Sequence, residues 1–169
     1  MTEGRSPGPP VNDCAAIAGA FEIAGGMPSS NGKYIVSTSQ ARLDLGFVCA
    51  ALAGSYWAGS RPRAVIRKSV RSSLCFGVYE RRGGRQVAFA RVVADRATFS
   101  WICDVVVDEG ERGKGIGKLL MATVSGHPVV RRGLCILATR DAHGLYEKFG
   151  FAREEMMTRR PARAAPPAG

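Results

Sequence analysis

Gly113, Gly115 and Gly117 alternate with Lys114 and Ile116 in the stretch DEGERGKGIGKLL, residues 108–120, and Arg112 and Lys118 bracket them. An apolar run, Val105, Val106 and Val107, precedes the turn, and a helical pattern follows it. Small residues let a backbone curl until successive N–H groups converge, and a helix start adds unpaired donors and partial positive charge. The product is a cradle for phosphate groups that requires no metal. Two other phosphate loops do not fit. A P-loop requires GxxxxGK followed by Ser or Thr, whereas Gly117-Lys118 has Arg112 upstream and Leu119 downstream. Gly113-Lys114 fails similarly, with Asp108 upstream and Gly115 downstream. A dinucleotide fingerprint requires GxGxxG after a parallel strand. Here the glycines form GxGxG, Lys118 fills the last slot, and the preceding sheet reads as antiparallel. What remains is Arg-x-x-Gly-x-Gly between a strand and a helix.

The elements that must position this turn follow from pattern and punctuation. Residues 1–32, rich in Gly, Pro, Ala and Ser, read as a flexible N-terminal extension, and residues 161–169 as a disordered tail. The folded domain spans residues 33–160. It opens with a short strand, KYIVST, followed by the helical LDLGFVCAALAGSYW and a second, basic-faced helix, RPRAVIRKSVRSS, with Pro62 near its first turn. Residues 74–107 read as three strands, with turns at Gly83-Gly84 and near residues 95–97. KLLMATVSG continues from the glycine turn as a helix that Pro128 ends, and LCILAT is a buried strand. DAHGLYEKFG reads as a helix with Asp141 as N-cap and Gly150 at its C′ position. FAREEMMTRR supplies a last strand. The order β-αα-βββ-α-β-α-β implies an α+β, or mixed α/β, fold.

At this point the chain resembles the GNAT superfamily of acetyl-coenzyme A-dependent N-acetyltransferases. The glycine turn is similar to that family's pyrophosphate motif, and ATRDAHGLYEKFGF to the motif that follows it, with Leu145-Tyr146 and Gly150-Phe151 suitably spaced. The resemblance covers residues 32–159. It implies a mostly antiparallel twisted sheet flanked by about four helices, with a parallel pair of strands, 99–107 and 134–139, that splay apart. The cofactor it implies is acetyl-coenzyme A. Its pantetheine arm would pair with the backbone of Val105, Val106 and Val107, and its pyrophosphate would rest on Arg112, Gly113, Lys114, Gly115, Ile116, Gly117 and Lys118. The resemblance gives Tyr146 the role of general acid toward the departing thiolate; taken alone, it is an amphipathic-helix residue. Asp141 and His143 fall where the family approaches the cofactor, and Asp141 serves equally as a simple helix cap. Many family members carry a glutamate on the strand before the glycine turn. Cys103 stands there instead, so Asp104 is the candidate base or ammonium anchor, with a structural hydrogen bond as its alternative. Tyr56, Trp57 and Phe99 are expected as an aromatic substrate wall, with Arg96 at its mouth; singly, each reads as packing. The family's closing hairpin has room for only one strand here, which points to a possible homodimer completing the site.

Composition bounds the setting. The 169 residues are 46% hydrophobic and 22% charged, ordinary for one globular domain. No apolar run approaches the roughly 18 residues that span a bilayer, and the N-terminus lacks a signal-peptide pattern. The reading is therefore a cytoplasmic protein with no membrane partner. Five scattered cysteines with two histidines indicate neither a metal site nor a disulfide framework. The net charge of +10, from 24 Lys+Arg against 14 Asp+Glu, favours anionic partners in general. The cations are scattered, not interleaved with aromatics, which speaks against nucleic acid as the partner. The first reading is an enzyme acetylating a small-molecule or protein amine. The alternative is a coenzyme A-binding or nucleic-acid-associated regulatory protein that uses the fold without turnover.

Overall fold

A computed structural model describes residues 32–159. The expected N-terminal extension, Gly32 apart, and the expected tail lie outside the described residues. Five strands form one sheet in the order β1 (Tyr34–Ser37), β2 (Leu74–Glu80), β3 (Gln86–Ala94), β4 (Phe99–Val107) and β5 (Leu134–Leu137). The first four pair antiparallel, and β4 pairs with β5 in parallel. The mixed α/β class and the mostly antiparallel sheet with one parallel pair match the expectation. Among the described residues no helix is long and apolar enough to cross a membrane.

Two cores cover the two faces. Helices α1 (Leu45–Ala53) and α2 (Arg63–Arg71) pack Val48, Cys49, Leu52, Ile66 and Val70 against Cys75, Phe89 and Val106. Asp44 starts α1 by accepting the Phe47 N–H at 3.0 Å, as an N-cap should. In α2 the buried Ile66 and Val70 stand four apart, leaving Arg63, Arg67, Lys68 and Arg71 to solvent. The opposite face carries α3 (Ile116–Gly126), α4 (Pro128–Arg131) and α5 (His143–Tyr146). Helix α3 buries Ile116, Leu119, Leu120, Met121, Thr123 and Val124, the stripe expected for a 3.6-residue repeat widened by Met121. Each large apolar side chain fully buried here contributes about 2 kcal/mol.

The local expectations hold unevenly. Gly83 and Gly84 both take positive φ in the β2–β3 turn, and Gly150 ends the last helical turn at φ 82. Helix α1 stops at Ala53, so Tyr56 and Trp57 fall in the loop before α2 instead of extending the helix. Pro128 ends α3 but opens the four-residue α4, so the described residues hold five α-helices, in keeping with the expected number of about four. Asp141 does not cap α5. Ala142 is the N-cap residue, and its N–H is satisfied by Thr139 Oγ1 at 3.0 Å. Residues 151–159 form no strand, so the expected closing strand is absent from the described sheet.

Candidate active site

Helix α3 begins at Gly115, whose φ of 80 places it in the left-handed region, and Gly113 does the same at φ 78. A side chain other than glycine would be strained at both. The space above each is open: a Cβ would meet no atom within 4 Å. Gly117 differs, because a Cβ there makes only ordinary contacts with Leu145 and Val107, at 3.8 and 3.9 Å. Gly115 offers no side-chain cap, so the first N–H groups of α3 point into the open turn. Lys118 is exposed beside them, Arg112 pairs loosely with Glu109 at 3.5 Å, and Lys114 is drawn to Glu111 at 3.1 Å. These observations fit a phosphate-bearing group.

A carboxylate anchors the turn from below. Glu111, nearly buried in a 3-10 turn at Glu109–Glu111, accepts from the Tyr34 hydroxyl at 2.6 Å and from Arg85 at 3.0 Å. Hydrogen bonds from Tyr34 and then Lys114 hold its carboxyl down at about 2. Arg85 also reaches Glu80 and Asp108, each at 3.3 Å, tying the β2–β3 hairpin to the turn.

Upstream, the sheet forks. Pairing of β4 with β5 ends at Ile102↔Leu137, so residues 103–107 keep β3 as neighbour on one side and part from β5 on the other. The β3–β4 register also slips between Phe89 and Arg91, opposite Asp104, which takes φ 55. This bulge reverses the facing of the strand. Ile102 belongs to the core under α3 and α5, whereas Val106, four residues on, belongs to the core under α1 and α2. Without an inserted residue both would share one face. Val105 and Val107 now pack toward α3, and their backbone lines the fork.

Tyr146 ends α5 on that same side, buried, its ring edge-on to Phe151 at 6.1 Å. Burial pushes its phenol up, reinforced by Tyr56 and Asp141, so it is a protonated donor at neutral pH. Tyr56 accepts the Arg140 N–H at 3.0 Å, and the Arg140 guanidinium lies 3.9 Å over its ring. Trp57 packs edge-on to Tyr56 at 4.8 Å. The loop before α2 is thereby tied to the chain beyond β5. Asp141 is exposed and His143 half-buried at the start of α5.

Asp104 is already engaged. Both its oxygens accept from Arg61 Nη1, at 3.0 and 2.9 Å, and Oδ2 also accepts from Arg91 Nε at 2.7 Å. It serves these arginines before any substrate. Beside it, burial pushes the Cys103 thiol up to about 11, which leaves it protonated and a weak nucleophile. Arg96 and Phe99 lie elsewhere. Phe99 opens β4 opposite Leu134, at the end still paired with β5. Arg96, in the β3–β4 turn, borders a cleft of about 220 Å³ with Gln40, Arg71 and Val129. The fold therefore does not bring these two to Tyr146, because the strand runs between them and the fork.

The comparisons agree with this geometry. A provisionally named acetyltransferase of Gibberella zeae is 30% identical, over 70% of this chain and 78% of the relative. The chain belongs to the GNAT acetyltransferase family. The model of the acetyltransferase (GNAT) domain matches residues 71–153. A GNAT-family protein of Xanthomonas campestris pv. campestris, also provisionally an acetyltransferase, is 41% identical, with TM-score 0.70 over 80% of this chain and 96% of its own. Glucosamine-6-phosphate N-acetyltransferase from Arabidopsis thaliana shares the fold at 19% identity and TM-score 0.60, over 76% of this chain and 98% of its own.

Sequence reasoning missed Arg61, Arg91, Arg140 and Glu111 of this GNAT domain. One signal was available: Arg91 stands in the apolar run VAFARVV, and a charge in a buried strand requires a partner. The bulge that turns Asp104 toward it left no mark in the sequence.

Proposed function

We propose that the protein transfers the acetyl group of acetyl-coenzyme A to a primary amine, on a small molecule or a protein, by direct attack within a ternary complex. The observation that carries this reading is the fork between β4 and β5, which leads from a buried, protonated Tyr146 to the open glycine turn. The cofactor supplies an acetyl thioester. Its pyrophosphate is held by the N–H groups of residues 113–118, with Arg112 and Lys118 adding charge. Backbone groups of Val105 to Val107 orient the pantetheine arm, and N–H groups near Val105 and Val106 polarise the thioester carbonyl. Asp141 and His143 flank the cofactor at the start of α5.

Tyr146 gives its proton to the departing thiolate. A phenol pushed above its usual value of about 10 still transfers readily when it lies in a water-poor site. Tyr56 and Trp57, tied down through Arg140, would form an aromatic wall for the acceptor beside the fork. Asp104 is committed to Arg61 and Arg91, so the acceptor's ammonium proton leaves to solvent water. Cys103 forms no covalent intermediate.

Replacing Tyr146 by Phe tests the role most sharply. Turnover should fall on the order of 100-fold while affinity for coenzyme A stays within about twofold, since only proton transfer is lost. Equal losses in both would make Tyr146 a packing residue.

A further inference from the structure

The ionic cluster at the fork is unbalanced. Two guanidiniums, Arg61 and Arg91, share one carboxylate, Asp104, leaving one positive charge uncompensated among the described residues. The remaining contact is neutral, Arg91 Nη1 to Ser73 Oγ at 3.1 Å. Cys75 and Cys103 pair across the strands with Arg91. Both thiols are pushed up, to about 12 and about 11, chiefly by burial, so neither supplies a negative charge.

The surplus charge faces outward. Asp104 is 2% exposed and Arg91 12%, but Arg61 is 26% exposed, and only its Nη1 is engaged. Its Nε and Nη2 donors have no partner among the described residues. A planar fork of donors held rigid from behind is suited to a carboxylate or phosphate. Position matters as much as charge. Asp104 stands two residues beyond the last β4–β5 pair, Ile102↔Leu137, so Arg61 overhangs the fork from the α1–α2 side. Next along the same sheet face, the register partners Val93 and Trp101 are 42% and 44% exposed, an apolar shelf beside the cations.

From this geometry we infer that the acceptor is an amine bearing an anionic group, carboxylate or phosphate, which Arg61 binds while the apolar body rests on Val93 and Trp101. Asp104 is a positioning residue that aims Arg61. The inference deepens the transfer reading and rests on it. It also accounts for the missing strand glutamate: a carboxylate presented here would repel such an acceptor.

Coenzyme A release is compared for matched amines, phenylalanine against phenylalaninamide and O-phosphoethanolamine against ethanolamine. The anionic member of at least one pair should have the higher kcat/KM, and the pair that responds separates carboxylate from phosphate. Arg61→Met, which keeps the stem but not the charge, should lower kcat/KM for that member on the order of 10- to 100-fold, mainly through KM. Its neutral counterpart should change little, and Arg61→Lys should recover part of the loss. Equal or better use of the neutral amines, or equal loss for both members, overturns the inference. If no amine releases coenzyme A, the transfer reading fails, and quenching of tryptophan fluorescence by 3-phenylpropionate and by phosphate decides the anion site. Saturable quenching that Arg61→Met abolishes supports it, and no saturable quenching overturns it. Thermal unfolding confirms that the variants fold.

Discussion

Glu111 and Asp104 are buried carboxylates seven residues apart along one strand and turn, and each gathers cations, but the two clusters are built differently. At the glycine turn, the carboxylates of Glu80, Asp108 and Glu111 meet Lys33, Arg85 and Lys114, and the charges close on themselves. What that end offers a ligand is chiefly backbone, the N–H groups of a turn whose positive φ values glycine adopts freely, with the exposed Lys118 beside them. At the fork, one carboxylate meets two guanidiniums and charge is left over. That end offers side chains. Backbone donors grip a phosphate whatever it is attached to, whereas an aimed guanidinium discriminates among acceptors. On the proposed reading, the turn would hold the cofactor and the fork would select the acceptor.

The sharpest way to break this contrast is at the turn. Gly115→Val forces a β-branched residue to φ 80 and fills the open space, and should weaken coenzyme A binding on the order of 100-fold by calorimetry. Unchanged affinity would remove the backbone cradle from the account. At the fork, Asp104→Asn keeps a residue type that tolerates φ 55 but strips the carboxylate from two guanidiniums. Stability in urea should drop by about 2–4 kcal/mol, toward the lower end because Arg61 is 26% exposed. A loss under about 0.5 kcal/mol would mean the cluster is a surface pair. The smallest effect concerns pH at Glu111, whose folded carboxyl is held near 2 against an ordinary 4.5. Its stabilisation is complete above the ordinary value and is lost as pH falls from 4.5 toward 2. Glu111→Gln should therefore flatten the fall of Tm with acid in that window. An unaltered slope would show that other carboxylates carry it.

The same contrast explains what the sequence made legible. The glycine turn and Gly150 were readable as local conformations because short-range spacing encodes them: positive φ selects glycine, and a strand–turn–helix is local. The fork cluster was not. Arg61 and Asp104 lie 43 residues apart, and a one-residue bulge, invisible to alternation counts, decides which face Asp104 takes. Asp141 was misread as a cap because α5 begins one residue later than the pattern suggested, at His143, which makes Ala142 the N-cap residue and leaves the helix without a side-chain cap. The final strand failed because FAREEMMTRR has too few apolar alternations to hold an edge by itself. Arg96 and Phe99 were close to the site in sequence, but the length of β4 separates them from it.

Whether acetyl transfer occurs at all is tested most directly by following thiol release from acetyl-coenzyme A against a panel of primary amines, with the products identified by mass spectrometry. The account predicts coenzyme A and acetylated amine in equal amounts, sensitive to Tyr146→Phe. No thiol release with any amine, together with tight, salt-sensitive nucleic-acid binding, would contradict it and leave a fold used for regulation.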